Sequence, residues 1–339
     1  MKAVVLVGGF GTRLLPLTET DKKELLPLMD RPILDHTLDH LVRHGVTEVV
    51  MSSPYLEETF APFIDSRGGH PRVTWITEAA PLGTGGAIVN ALGHLGTEPF
   101  FALNGDILTD LDLTTMLAEH RAHGAAATIA LHRVPDARAF GLVITEADGR
   151  VLEFREKPPD LIPGDINAGT YLIDPAALAP WEPGAAASIE REVFPAVIAS
   201  GRPVYGFPSD AYWLDLGTPE NYLQAHFDML EGKVHDVTYA APWVGEGATI
   251  DLRAHLGRWV AIGPGALVGA GVQIDDSVLH PGARVLAGAR VVRSVIGGDA
   301  EVGEDAAVED SVLGQGAVVP ANATLQGERV ASNTTYRPA

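Results

Sequence analysis

The sequence predicts an α/β domain on a mixed, mostly parallel sheet, followed by a left-handed parallel β-helix. Three observations carry this. Up to about residue 110, short apolar runs alternate with helical patterns, the mark of βαβ units and a parallel sheet. From Ala126 to about Phe207 strand patterns dominate. After Pro242 an aliphatic residue recurs every six positions with small residues between, which is a hexapeptide repeat.

The elements follow in order. Lys2–Val7, Glu48–Ser52, Val73–Glu78 and Phe100–Leu103 read as strands of the parallel sheet, a Rossmann-like arrangement. Between the first two, Pro32–Gly45 reads as a helix with Leu34, Leu38, Leu41 and Val42 on one face. His36, His40 and His44 are spaced four apart and project opposite Leu34, toward solvent, so a zinc role is set aside. Thr128–Arg133, Gly141–Thr145, Val151–Phe154 and Ala168–Ile173 are the next strands, with helices near Glu190–Ala199 and at Tyr222–Glu231. Gly232–Pro242 is a linker, which divides the chain into domains 1–232 and 243–330. Hexads such as Ile262–Leu267, Val268–Gln273 and Ile274–Leu279 build triangular coils, and roughly four coils fit the length.

Composition narrows the function. The 339 residues hold no cysteine and no apolar run that approaches a membrane span, and the N-terminus leads directly into a strand. A cytoplasmic protein with no membrane partner is expected. The formal charge of −20 argues against nucleic acid, because a phosphate polymer would be repelled. Small anions remain possible where positive groups converge. Of 24 basic residues only Lys2, Lys22, Lys23, Lys157 and Lys233 are lysines, and three of these fall in the motifs below.

Directly after the first strand comes Gly8-Gly9-Phe10-Gly11-Thr12-Arg13-Leu14. Glycines there let the backbone approach a ligand and turn amides toward phosphate oxygens. A P-loop would need Gly-Lys-Ser/Thr, and a dinucleotide fingerprint would need glycine at Leu14, so both are excluded. What remains is a glycine loop that delivers Arg13, a permanent cation able to clamp phosphate. Taken alone it equally fits a β–α turn with a surface arginine. Lys23 follows within Lys22-Lys23-Glu24-Leu25-Leu26-Pro27. Asp106, just past the strand Phe100–Leu103, lies where parallel sheets bind ligands. Asp215, in Trp213-Leu214-Asp215-Leu216-Gly217-Thr218, offers a second carboxylate, and two aspartates suit Mg²⁺. Glu156-Lys157-Pro158 and Asn167-Ala168-Gly169 supply a charged pair and an amide suited to a phosphate and to sugar hydroxyls. Each taken singly reads as well as a turn, cap or surface ion pair.

Together, and in this order, these motifs resemble the sugar-1-phosphate nucleotidyltransferases. Further matches are Glu78 with Pro81-Leu82-Gly83-Thr84-Gly85-Gly86, Leu103-Asn104-Gly105-Asp106 and Phe140-Gly141-Leu142-Val143. The β-helix is similar to a frequent C-terminal extension of that family. Pro81–Ala87 and Ser188–Pro195 look most like mannose-1-phosphate guanylyltransferases. Lys-Glu-Leu-Leu-Pro is more similar to glucose-1-phosphate thymidylyl- and uridylyltransferases.

The resemblance implies transfer of a nucleoside monophosphate from an NTP to a sugar 1-phosphate, with release of pyrophosphate. GTP and mannose 1-phosphate are the expected pair; a glucose-1-phosphate thymidylyl-, uridylyl- or adenylyltransferase, or an enzyme for a cyclitol 1-phosphate, is the alternative. It implies catalytic roles for Arg13, Lys23 and Lys157. Gly8, Gly9, Gly11, Thr12, Arg13, Lys23, Glu78, Gly83, Thr84 and Asp106 would bind nucleotide. Asn104, Gly141, Glu156, Lys157 and Asn167 would bind the sugar phosphate, and Asp106 and Asp215 would hold Mg²⁺. A carboxylate at Glu78 only accepts hydrogen bonds, which favours guanine with its N1–H and N2 amino donors. Hexapeptide proteins also include acyltransferases, for which His255 and His280 are the candidates, but the repeats lack a long insertion. An assembly surface fits the short β-helix better, and a homo-oligomer is expected.

Overall fold

A computed structural model describes residues 1–54, 57–235 and 237–337, apart from the side chain of Glu156. The chain divides into two compact units. One comprises Met1–Gly8 and Thr37–Trp213, and the other Gly9–His36 and the chain from Leu214 onward.

The first unit is built on a nine-stranded sheet. Its strands are β1 (Lys2–Leu6), β2 (Glu48–Ser53), β3 (Arg72–Thr77), β4 (Phe100–Asn104), β5 (Ala127–Val134), β6 (Gly141–Thr145), β7 (Val151–Glu156), β8 (Gly164–Ile173) and β9 (Val204–Ser209). Strands β4, β1, β2 and β3 run parallel in that order, with Ala3 opposite Phe101 and Lys2 opposite Glu48. Ala3, Val4 and Val5, like Phe100 to Leu103, are buried without alternation, as expected of strands covered on both faces. Strand β8 adds antiparallel to β4, then β5 pairs with its other edge and β9 runs parallel to β5. The hairpin β6–β7 extends the sheet, Ile166 pairing with Leu142. Two helices, Gly83–Leu95 and Phe194–Ala199, bury Ile88, Val89, Phe194 and Val197 in the core that also takes Phe100, Ile129 and Tyr171.

The helix Ile33–Arg43 corrects one expectation. His36 and His40 do not face solvent; they are 6% and 3% exposed. From Ile33 to Val42 no residue is exposed. The Nε2 of His36 pairs with the carbonyl of Leu28 at 3.0 Å, and burial lowers the pKa of His36 to about 4 and of His40 to about 3.

The second unit contains the β-helix, whose three sheets hold six, five and five strands. This gives five full coils and one further strand, more than the four expected. The first coil takes 18 residues, Trp243 pairing with Ala261, and later ones take 17, as Val268 pairs with Val285 and Val285 with Val302. The buried aliphatic positions are Ile262, Val268, Ile274, Leu279, Val285, Val291, Ile296, Val302, Val308, Leu313, Val319 and Leu325. They recur at spacings of six, six and five. The segment Ile274–Leu279 is therefore a shortened side and not a regular hexad. Its corner is tightened by Asp276 at φ 47°, followed in the next coils by Arg293 at 44° and Asp310 at 50°. Beside these corners Ser277, Ser294 and Ser311 stack. Ser294 N–H donates to Ser277 Oγ at 3.1 Å, Ser311 N–H to Ser294 Oγ at 3.1 Å, and Glu328 N–H to Ser311 Oγ at 3.0 Å.

Candidate functional site

In the first unit, Gly8, Glu78, Asn104 and Asp106 stand at the carboxyl ends of the parallel strands, where open α/β sheets take ligands. Gly8 follows β1, Glu78 follows β3, and Asn104 closes β4 opposite Leu6. Gly105 N–H donates to Leu6 O at 3.0 Å, and a Cβ at Gly105 would stand 2.9 Å from that oxygen. The close approach fixes where Asp106 leaves the sheet. Glu78 is buried, and both its oxygens are engaged. Oε1 accepts from the Ser52 hydroxyl and Oε2 from the Leu82 N–H, each at 2.9 Å. The same acid therefore closes the turn leading into Gly83.

Gly83, at φ 69°, and Thr84 open the helix Gly83–Leu95, and here the structure shows a packing role beyond the expected one. A Cβ on Gly83 would reach Ala187 O at 2.8 Å. Thr84 Oγ1 accepts from Ile189 N–H at 3.0 Å and lies 3.2 Å from Glu190 Oε2. The segments Pro81–Ala87 and Ser188–Pro195, far apart in sequence, are thus locked together. Glu190 is the centre of this lock: it also accepts from the Ser188 hydroxyl at 3.0 Å and the Tyr171 hydroxyl at 3.2 Å, and Asn167 Nδ2 donates to Tyr171 at 2.8 Å. No sequence motif assigns Glu190 a role; its position two residues after the N-capping Ser188 is the signal the sequence offers.

The sugar-side motifs meet as well. Asn167 sits at a register break in β8 and accepts from Gly169 N–H at 2.9 Å. Gly169, at φ 70°, leaves room for the Asn104 amide, which a Cβ would meet at 2.6 Å. Gly141 pairs with Glu156 across β6–β7, and Lys157 N–H donates to Phe140 O at 2.9 Å. Lys157 is exposed with φ 47°, a left-handed conformation uncommon for a residue with a side chain. Trp213, also given no role from sequence, braces this corner. Its indole N–H donates to Ala168 O at 2.9 Å, and its ring meets Phe140 edge-on at 5.6 Å.

The second unit holds Gly9, Gly11, Thr12, Arg13, Lys23 and Asp215. Gly11 adopts φ 62° before the short 3₁₀ turn Thr12–Leu14, and the Thr18 hydroxyl holds its carbonyl at 2.8 Å. A Cβ on Gly9 would lie 3.1 Å from Lys23 Nζ, so the ammonium rests over that glycine. Asp215 precedes a helix, Pro219–Leu230, that Thr218 caps by accepting from Asn221 N–H at 3.2 Å. The same Asn221 donates to Asp215 O at 2.7 Å, and Gly217 N–H to Asp215 Oδ1 at 2.7 Å. The Arg13 guanidinium stands 3.8 Å from Asp215 Oδ2 and crosses the backbone of Gly217, where a Cβ would collide with it. Asp106 belongs to the other unit. Among the described residues no cluster of three or more His, Cys, Asp or Glu could hold a metal, and no helix is long and apolar enough to cross a membrane.

A family model described as nucleotidyl transferase matches residues 2–232, and one described as GMPPB C-terminal domain matches 240–337. The chain belongs to the nucleotidyl transferase family. Mannose-1-phosphate guanylyltransferase of Mycobacterium tuberculosis is 38% identical over 82% of this chain and 79% of its own length. Mannose-1-phosphate guanylyltransferase 1 of Arabidopsis thaliana is 36% identical, also over 82% and 79%. Among solved structures, HddC from Yersinia pseudotuberculosis complexed with GMP-PN is 27% identical, with a TM-score of 0.57 over 66% of this chain and 97% of that one. As a nucleotidyl transferase, the chain is an enzyme. His280, a candidate for acyl transfer, is buried with its Nε2 2.8 Å from the Tyr222 hydroxyl, and the even 17-residue coils leave no inserted loop beside it.

Proposed function

We propose that the protein transfers GMP from GTP to mannose 1-phosphate, forming GDP-mannose and pyrophosphate. The observation that carries this reading is the lock between Pro81–Ala87 and Ser188–Pro195 through Thr84, Ile189 and Glu190. These are the two segments of mannose-guanylyl type, and they fold as one device. The relatives' names point the same way.

In this reading an oxygen of the sugar phosphate attacks the α-phosphorus of GTP, the new O–P bond forms, and the bond to pyrophosphate breaks in line. The sugar phosphate is already anionic, so no general base is needed. The protein acts by positioning and by neutralising charge. Arg13 grips the departing phosphates, Lys23 serves the α-phosphate over Gly9, and Lys157 holds the sugar phosphate. Gly8, Gly9, Gly11 and Thr12 shape the phosphate loop, while Glu78, Gly83 and Thr84 form the base pocket. Asn104, Gly141, Glu156 and Asn167 take the sugar hydroxyls. Asp106 and Asp215 would hold Mg²⁺; their hard oxygens suit it, and Asp215 already faces a cation in Arg13. Bound there, the ion would neutralise phosphate charge.

Residues 1–232 are the catalytic domain and 243–330 an assembly module in a cytoplasmic homo-oligomer. The exposed Val244 and Leu252 on the first coil support self-association. The test is product analysis: incubation with GTP and mannose 1-phosphate gives GDP-mannose by ³¹P NMR, and EDTA stops its formation. An unchanged substrate mixture refutes the proposal.

A further inference from the structure

We infer that Arg329, in the last strand of the β-helix, is a positioning residue for Arg13. By this route the C-terminal coil sets the nucleotide-phosphate grip. The inference rests on the proposed role of Arg13.

The argument begins with the loop's own bonds. In the turn around Thr12–Leu14, the carbonyls of Gly11, Thr12, Leu14 and Pro16 accept from the N–H groups of Leu14, Leu15, Leu17 and Glu19. A short helical turn leaves its last carbonyls without partners of its own. Those of Arg13 and Leu15 are taken by a single nitrogen, Arg329 Nη1, at 3.1 and 3.0 Å. A cation at the carboxyl end of a helical turn is favourable, and both protons of that nitrogen are used. Both tied carbonyls follow the Cα from which the Arg13 side chain departs, that of Arg13 directly.

The β-helix explains why Arg329 is available. Val330 fills the inward aliphatic position, so its neighbour faces out. Three residues on, Ser332 N–H donates to the Glu19 carboxylate at 2.6 Å, and its hydroxyl lies 3.4 Å from Pro16 O. The loop from Arg13 to Glu19 is therefore held at four points by the strand end 329–332. The Arg13 guanidinium itself is largely exposed and touches Asp215. The coil governs its backbone, not its charged end.

The full-length protein tests this with Arg329→Ala, Arg329→Lys and, as a surface control, Arg284→Ala, whose side chain pairs with Glu301. Hydrogen exchange is followed in residues 9–20 without substrate, and inorganic pyrophosphate binding is measured by calorimetry. Arg329→Ala is expected to speed exchange in that segment and weaken pyrophosphate binding about tenfold. The melting temperature and the KM for mannose 1-phosphate stay as in the parent. Arg329→Lys recovers part of the loss, and Arg284→Ala matches the parent. On an Arg13→Ala background, Arg329→Ala adds no further loss, because both act through one group. Unchanged exchange and pyrophosphate affinity, or an undiminished second loss on that background, would overturn the inference. Loop and pyrophosphate effects in a protein that makes no nucleotide sugar would instead overturn the function proposed above and leave the positioning role standing.

Discussion

Gly217 is the residue on which the approach of Arg13 to Asp215 depends. A methyl group there would strike both the tip of the Arg13 side chain and the Asp215 carboxylate, two side-chain ends that can turn away, while the surrounding backbone need not move. Gly217→Ala is therefore expected to melt within a few degrees of the parent yet lose about tenfold or more in kcat/KM for the nucleotide. Parent-like kinetics with a normal melt would remove Arg13 and Asp215 from a shared task. At Glu78 the structure sharpens an expectation. Its oxygens close the turn through Ser52 and Leu82, and each retains capacity for a further donor. Glu78→Gln can aim its new N–H₂ at the Ser52 hydroxyl and keep the turn. The expected result is a lower kcat/KM for GTP and a narrower margin over UTP or dTTP. The glycine loop and strand-end acids stand out in the sequence because each sits in a short contiguous motif next to a strand. The role of Glu190 was not, since it arises from Thr84, Tyr171 and Ser188 converging from three segments.

At the scale of elements, sequence periodicity located the strands of the parallel sheet to within a residue or two, most plainly for β1 and β4, which are buried on both faces and write an apolar run. It misjudged the histidine-bearing helix: polar residues at helical spacing look like a solvent face, and only the tertiary covering reveals otherwise. It also missed the shortened side of each coil, where Asp276, Arg293 and Asp310 take a left-handed conformation without a glycine to mark the corner. The serine stack beside those corners gives a test. Ser294→Ala removes the acceptor of the buried Ser311 N–H and leaves it unpaired. An unpaired buried donor costs about 1–3 kcal/mol, so the melting temperature should fall by several degrees with kcat unchanged. No shift in melting would show that the stack contributes nothing to the coil.

On the scale of the whole molecule, the second unit buries a neutral cluster. His226 Nδ1 pairs with Tyr222 O at 2.9 Å, His280 Nε2 meets the Tyr222 hydroxyl, and His36 lies near enough to influence His226. Burial lowers the pKa of His36 and His226 to about 4 and of His280 to about 3. The unfolded chain takes up protons near pH 6.5 while the folded one does not. Stability is thus complete above that pH and falls as pH drops toward 4, by up to about 1.4 kcal/mol per unit for each histidine. Thermal melts from pH 7.5 to 4.5 should show this decline, and replacing His280 by Gln should make it shallower. A flat profile would mean that these rings are protonated in the fold. The central claim, guanylyl transfer to mannose 1-phosphate, is tested most directly by one panel. Pyrophosphate release is measured with GTP, ATP, UTP and dTTP, each against mannose 1-phosphate and glucose 1-phosphate. The account predicts that kcat/KM is highest for GTP with mannose 1-phosphate, by about 10²-fold or more over the pyrimidine nucleotides. A preference for dTTP or UTP with glucose 1-phosphate would contradict it.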